Sequence, residues 1–457
     1  MAGSGVTAAG GASSGSGGAA GSGGTGTGGK ADAGTPLGDG GGVATCPATG
    51  LSGTGRVQIS GSGASFTMTR DGVPYYVRGI AGGSHLDLAQ QNGANSIRTF
   101  NSNGAMALLD AAASRCMTVL LGIELSNMPA DYTNATFLAA KRTEVTNLLA
   151  TVKSHPALLM WAVGNEIQLA AGNDNQTTVG FMQELAQTIQ QQDPNHPVIT
   201  AVAGANTTAI NHLVQWAPAF NTIGINAYAP VVNVNTDLAR SNFTGPILIT
   251  EWGPTGWWEA PMTSWARPIE ETSAAKGRVY QSRYQTFAHT GRVLGDYVFL
   301  WANKMEATPT WFGMFFETNT DLGLAGESLP TVDTMAFEWS GAYPINRSPD
   351  VTDLTLNGLR AAENVTLTRG QAVPAVVTVT EPDGDTMSYV WEILQEPALP
   401  VSNMGELRPP RVGNPQKGTA PTLNVTAPTA AGQYRLLVYV LDGKGHAGTA
   451  NIPFRVN

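Results

Sequence analysis

The chain has 457 residues, 42% of them apolar, enough for one large domain with its own core and a smaller one beside it. With 25 Lys and Arg against 34 Asp and Glu the net charge is −9, which opposes a phosphate backbone and excludes nucleic acid as a partner. No apolar run reaches the length of a bilayer span, and the opening MAGSGVTAAGG has neither the basic end nor the apolar stretch of an export signal.

Residues 1–45 form a Gly/Ser/Ala/Thr tract, the composition of a flexible, disordered spacer with nothing to bury. Such a tether suits a secreted or cell-surface-tethered protein, so a leader or lipid anchor upstream of this sequence, or trimmed from it, is expected. The GASSG at 11–15 fits a nucleophile-elbow pattern but has no strand before it and no helix after it, and is set aside. Cys46 and Cys116 are the only cysteines, too few for a four-cysteine zinc site, and no His accompanies them at ligand spacing. A disulfide between them, in an oxidising compartment, stays open; two unrelated thiols is the preferred reading. No metal and no cofactor are expected. Seven N-x-S/T triplets run from Asn134 to Asn424 and bear on glycosylation only in a eukaryotic secretory host.

After Cys46, FTMTRDGVPYYVRG reads as two extended arms around the turn-forming pair Asp71-Gly72. Short apolar stretches then alternate with helix-length ones. Strands are predicted at 75–80, 95–100, 117–125, 157–166, 197–202, 221–228, 246–253 and 295–301, separated by amphipathic segments such as AMALLDAAASR and VGFMQELAQTIQQQ. Eight strand–helix units match a (β/α)8 TIM barrel, whose functional groups sit at the C-terminal ends of its strands. An open doubly wound sheet would show the same alternation, but no glycine-rich phosphate loop follows the first strand. The catalytic domain is placed at 46–345, hairpin included. From 350 to 457 alternating apolar and polar residues around Asp-Gly turns predict an all-β sandwich, which resembles the immunoglobulin-like and polycystic-kidney-type modules of secreted bacterial enzymes. Asp383 and Asp385 were weighed as calcium ligands against turn formers, and the turn reading preferred.

The apolar run LLMWAVGNEIQ at 158–168 ends abruptly in Asn165 and Glu166, and burying an ionised carboxylate costs several kcal/mol unless something offsets it. Glu251, in ILITEWGPTGWW, ends the seventh predicted strand as Glu166 ends the fourth, so both carboxylates are expected at one mouth of the barrel. Glycoside hydrolysis needs such a pair, one protonated to release the leaving oxygen and the other ionised to attack the anomeric carbon. The residues themselves do not say which is which.

WAVGNE and ILITEWG, with the other strands in order, resemble clan A of the glycoside hydrolases, retaining barrel enzymes. That resemblance implies Glu166 as acid/base and Glu251 as nucleophile, with Arg98 in SIRTF holding the nucleophile ionised. It further implies Asn165 on the sugar 2-hydroxyl, Tyr228 in GINAY bonded to the nucleophile, and Trp301 in VFLW as floor of the sugar site. Within the clan the chain is similar to the family 2 barrel, through GANSIRTFNSNGAMALLDAAASRCM, and to β-1,3-glucanosyltransferases. It departs from family 2 in lacking a jelly-roll domain ahead of the barrel and in having FNSNG after the strand-two arginine.

Two loops are rich in aromatics: Trp252, Trp257, Trp258 and Trp265 after strand seven, and Trp311, Phe312, Phe315 and Phe316 after strand eight. Sugar C–H faces stack on such rings, so Trp257, Trp258 and Trp311 are expected to bind substrate. Asn303, Lys304 and Glu306 are candidates for sugar hydroxyls, and Glu124 is a spare carboxylate near the mouth. The expectation is a monomeric retaining β-glycosidase or transglycosylase acting on a β-linked polysaccharide, a β-glucan first. A mannan- or xylan-active endo-enzyme of the clan, or a non-catalytic carbohydrate-binding wall protein, are the alternatives.

Overall fold

The computed structural model describes residues 46, 48–171, 175–396 and 407–457. The spacer expected at 1–45, with its GASSG, lies outside the described residues.

Three strands come first, β1 (Val57–Ser62), β2 (Ser65–Arg70) and β3 (Val73–Pro74), in one antiparallel sheet. Asp71 and Gly72 make the second turn at φ of 50° and 81°, a left-handed geometry that Asp-Gly tolerates. The second arm ends sooner than expected, because the Tyr75 hydroxyl donates to the Asn95 carbonyl at 2.7 Å and draws the chain into the barrel.

Eight parallel strands then close on themselves: β4 (Val77–Ala81), β5 (Ser96–Arg98), β6 (Thr118–Ile123), β7 (Leu158–Asn165), β8 (Val198–Ala203), β9 (Ile223–Asn226), β10 (Ile247–Trp252) and β11 (Val293–Val298), the last pairing with β4. Each overlaps one of the eight predicted stretches. The helices are α1 (Leu86–Gln91), α2 (Ala105–Ala113), α3 (Ala135–Val152), α4 (Ile167–Ala171), α5 (Gln176–Gln192), α6 (Thr207–Trp216), α7 (Val234–Leu238), α8 (Ser273–Phe287) and α9 (Pro330–Ser340). Asn134, Asn175 and Asn206 cap α3, α5 and α6, their side chains accepting first-turn N–H bonds. All three also head N-x-T triplets, so part of that pattern is helix capping.

Val77, Leu120, Met160, Ile199, Leu248 and Tyr297 fill the barrel, and Val57 and Met68 of the hairpin pack against them. The hairpin plugs the end where strands begin: Arg70 donates to the Pro156 carbonyl at 2.5 Å, ahead of β7, and the Val57 N–H to Asn195 at 2.9 Å, ahead of β8. The opposite end stays open for a site.

Cys46 and Cys116 form a disulfide, with 5.5 Å between their Cα atoms, which corrects the preference for two unrelated thiols. They lie 70 positions apart, and proximity comes from the chain ahead of the hairpin folding back on α2, where the Leu51 N–H donates to the Ala113 carbonyl at 2.8 Å.

The small strands β12 (Thr318–Asn319) and β13 (Leu324–Ala325) lie in the connection from β11 to α9. Beyond α9 come β14 (Asp350–Leu356), β15 (Thr366–Leu367), β16 (Ala372–Thr380), β17 (Ser388–Gln395), β18 (Arg411–Gly418), β19 (Thr422–Thr426), β20 (Gly432–Leu441) and β21 (Ala447–Val456). They form two sheets, ordered β14-β16-β19 and β15-β21-β20-β17-β18, around a core that includes Leu354, Val377, Trp391, Val438 and Phe454. In β20 and β21 burial is nearly continuous rather than alternating, because the second face of their sheet meets the barrel. There Val390, Leu437, Tyr439 and Ala447 pack with Phe316, Leu322, Leu324 and Leu329.

A buried polar seam continues this contact. Asn451 donates to Glu270 at 2.6 Å, and Lys276 bonds Glu270 at 2.5 Å and the carbonyls of Thr310 and Trp311 at 2.7 and 2.9 Å. At the far turn Asp383 accepts the Arg347 N–H at 2.6 Å, while the N–H groups of Asp383 and Asp385 donate to Glu381, as turn formers do.

Candidate active site

Strict alternation would put Thr250 and Glu251 on opposite faces of β10. Ile247 and Ile249 face the helices and Leu248 the interior, yet the pairing register with β9 shifts between Ile249 and Glu251. Thr250 and Glu251 therefore both turn inward, and Trp252 turns out onto Tyr280 and Phe287. The same device acts on β7, where the register with β8 shifts between Ala162 and Asn165. Gly164 sits there at φ 75°, and a Cβ on it would come within 2.9 Å of Ile167. Glu166 follows at φ 52°, a left-handed conformation that an unbranched L-residue adopts only at a cost of order 1–3 kcal/mol. Such bulges re-aim side chains beside active sites. The abrupt end of the apolar run is therefore geometric: Asn165, the last residue of β7, and Glu166 after it leave the alternation that buried the others.

The two carboxylates meet through β5 and β9. Arg98 Nη1 lies 2.9 Å from Glu251 Oε1 and donates to the Thr250 carbonyl at 2.6 Å, and its Nη2 donates to Asn165 Oδ1 at 2.6 Å. The Nδ2 of Asn226 lies 2.9 Å from Glu166 Oε1, 2.9 Å from Glu251 Oε1 and 3.0 Å from Asn165 Oδ1. Its Oδ1 accepts from Thr250 at 2.7 Å, which fixes the amide's orientation. Tyr228 donates to Glu251 Oε2 at 3.3 Å. Glu251, only 6% exposed, thus has a buried cation and two further donors. Glu166 is the opposite case. Burial first, and the Glu251 charge second, push its pKa up to about 7, against the pull of Asn226 and Arg98. The two carboxylates of one mouth thus sit in unlike surroundings.

These groups open into a cleft of ≈ 970 Å³. Trp257 and Trp258 line it as expected, the latter 48% exposed, with Phe100, Phe299, Lys304 and Glu306. Trp258 stands edge-on to Tyr228 at 5.4 Å, and Trp257 donates to Glu306 at 3.0 Å.

Trp301 and Trp311 do not line the cleft, which corrects both expectations. Trp301 is wholly buried against Phe315 and Trp339, because the chain after β11 turns it away from the axis, and Phe299 faces the cleft instead. Trp311, 2% exposed, donates to the Thr255 carbonyl at 2.9 Å and supports the Trp257 loop from beneath. Phe315 stacks on His85, and Phe316 packs on Tyr439 of the sandwich. Asn303 and Glu124 are exposed and outside the lining, and Trp265 lies under Arg455. Asn226, which joins both carboxylates, was not among the candidates. Its signal is a lone polar residue at the end of an apolar strand, two positions before Tyr228 and so on the same face. Among the described residues no cluster of His, Cys, Asp and Glu is arranged to hold a metal.

The fold and the site together are a closed (β/α)8 barrel with a buried carboxylate pair at its open end. Residues 86–259 match the family model described as the TIM barrel domain of glycosyl hydrolases family 2. A β-glucuronidase of Paenibacillus borealis is 24% identical over 244 residues, 46% of this chain and 37% of that protein; the chain thus spans well under half of this relative's length. Among solved structures, a β-glucuronidase from Ruminococcus gnavus in complex with D-glucuronic acid aligns with TM-score 0.48 and 13% identity, over 62% of this chain and 51% of that one. A putative β-galactosidase from Bacteroides fragilis aligns with TM-score 0.46 and 13% identity, over 88% and 57%. The similarity to β-1,3-glucanosyltransferases rests on the sequence resemblance alone.

Proposed function

We propose that the protein is a retaining β-glycosidase, with Glu251 as nucleophile and Glu166 as acid/base. The observation that carries this is Asn226 Nδ2, 2.9 Å from an oxygen of each carboxylate, which limits those two oxygens to at most 5.8 Å apart. Retaining enzymes hold their carboxyls about 5–5.5 Å apart and inverting ones about 6.5–9.5 Å, to admit a water between them. In the first step the Glu166 proton passes to the glycosidic oxygen as Glu251 bonds to the anomeric carbon and the leaving group departs. In the second, the Glu166 carboxylate takes a proton from an acceptor hydroxyl, which attacks the same carbon and releases Glu251. Arg98 and Tyr228 stabilise the Glu251 charge before bonding and after release. Water as acceptor gives hydrolysis and a sugar hydroxyl gives transfer.

The substrate we assign is a β-linked glycan, a β-glucan first among them, bound along the wall formed by Trp257, Trp258 and Phe299. A second reading, turnover of β-glucuronides, takes its support from the name of the curated relative. The disulfide supports residence in an oxidising compartment, outside the cytosol.

The test is incubation with 2-deoxy-2-fluoro glycosyl inactivators, followed by peptide mapping. A stoichiometric label on Glu251 is the expected result. A label on another residue would overturn the assignment of the nucleophile, and no turnover of any β-glycoside would favour a carbohydrate-binding protein.

A further inference from the structure

Among the described residues four carboxylates line the cleft, Glu166, Glu251, Glu259 and Glu306, against a single lining cation, Lys304. Arg98 lies beneath and is committed to Glu251. Lys304 is committed as well: its Nζ is 2.5 Å from Glu306 Oε2 and 5.2 Å over the Phe299 ring. The other oxygen of Glu306 accepts from Trp257 Nε1 at 3.0 Å, so the aromatic wall fixes this carboxylate in place. Glu259 accepts the backbone N–H groups of Ala229 and Gly256 at 3.1 and 3.0 Å, and the Arg283 guanidinium, bonded to the Gly253 carbonyl and Thr255, offsets only part of its charge at longer range. Even if Glu166 is counted as neutral and each ion pair as balanced, the lining keeps an excess of carboxylates over cations.

A sugar bearing a carboxylate would add like charge to this surface, and its one accessible cation would first have to leave Glu306. A sugar bearing only hydroxyls meets a fixed acceptor in Glu306 and a donor in Lys304. Specificity is as often built from what repels the wrong ligand as from what holds the right one. We infer that the substrate's sugar units carry no acidic group, and that Glu306, braced by Trp257 and Lys304, is the specificity-determining residue that bars them. This rests on the glycosidase reading above, and it runs opposite to the substrate in the curated relative's name.

The test uses pairs differing only in oxidation at C6: 4-nitrophenyl β-glucoside with β-glucuronide, β-galactoside with β-galacturonide, and β-glucan oligosaccharides with the same chains oxidised at C6. In every pair turned over, the neutral member should lead by about 100-fold or more in kcat/KM, most of it in KM. Glu306→Gln keeps an acceptor for Trp257 and should narrow the gap about tenfold, while Lys304→Met, which leaves Glu306 unpaired, should widen it. Preference for the oxidised member, or a ratio that neither variant moves, overturns the inference and leaves the glycosidase reading standing. No turnover in any pair together with no label on Glu251 overturns that reading, and this inference with it.

Discussion

Glu166 and Glu251 share one hydrogen-bond donor, the Nδ2 of Asn226, 2.9 Å from each, although 85 positions of sequence lie between them. Only Glu251 also reaches Arg98, at 2.9 Å. This asymmetry supports the proposed roles: a buried cation sits against Glu251, while burial beside that carboxylate pushes the Glu166 pKa up.

Replacing Glu251, the proposed nucleophile, separates chemistry from folding. Glu251→Gln retains an acceptor for Arg98 and should lower kcat by about 10⁴-fold or more with a melting temperature near wild type. Glu251→Ala should lose the same activity and also about 3–5 kcal/mol of stability, because it strands the buried guanidinium of Arg98. Steady-state kinetics beside chemical denaturation check both.

The raised pKa of Glu166 sets a pH dependence. Because the acid must be protonated, kcat/KM should fall as pH rises through about 7. Stability follows the same sign: between about 4.5 and 7 the folded state keeps a proton that the unfolded chain releases, so the wild type loses stability across that window. Glu166→Gln should escape the loss and exceed wild type above pH 7 by on the order of 2–3 kcal/mol. Asn226→Ala removes a bond that pulls the Glu166 pKa down, so its basic limb should move to higher pH while kcat drops about 10–100-fold. A basic limb unchanged in Asn226→Ala would count against the shared-donor account.

Reducing the Cys46–Cys116 bond should cost about 4 kcal/mol, the chain-entropy value for a loop of this length. Cys116 precedes β6, at the end of the barrel away from the cleft, so activity well below the melting point should be unchanged. Thermal melts with and without reductant, read beside turnover, provide the measurement.

The seam at Glu270 ties the sandwich to the substrate loops, because Lys276 holds the Thr310 and Trp311 carbonyls and Trp311 holds the Thr255 carbonyl. Asn451→Ala should cost about 1–3 kcal/mol and raise KM for a polysaccharide more than for an aryl glycoside. Equal effects on both substrates would reduce the seam to a structural role.

Sequence periodicity determined a good deal: eight strand–helix repeats, the hairpin turn at Asp71-Gly72, the sandwich, and the strand ends carrying Arg98, Asn165, Glu166, Tyr228 and Glu251. Those features depend on local alternation and on residues that punctuate it, and both are written along the chain. Tertiary structure decided the rest. Register shifts in β7 and β10 turn consecutive residues inward, Trp301 and Trp311 face the core rather than the cleft, and Asn226 becomes the centre of the site. It also joined Cys46 to Cys116 and buried both faces of β20 and β21. None of these is local. Each depends on which distant segments come within bonding distance, and that is settled only when the barrel closes and the second domain docks.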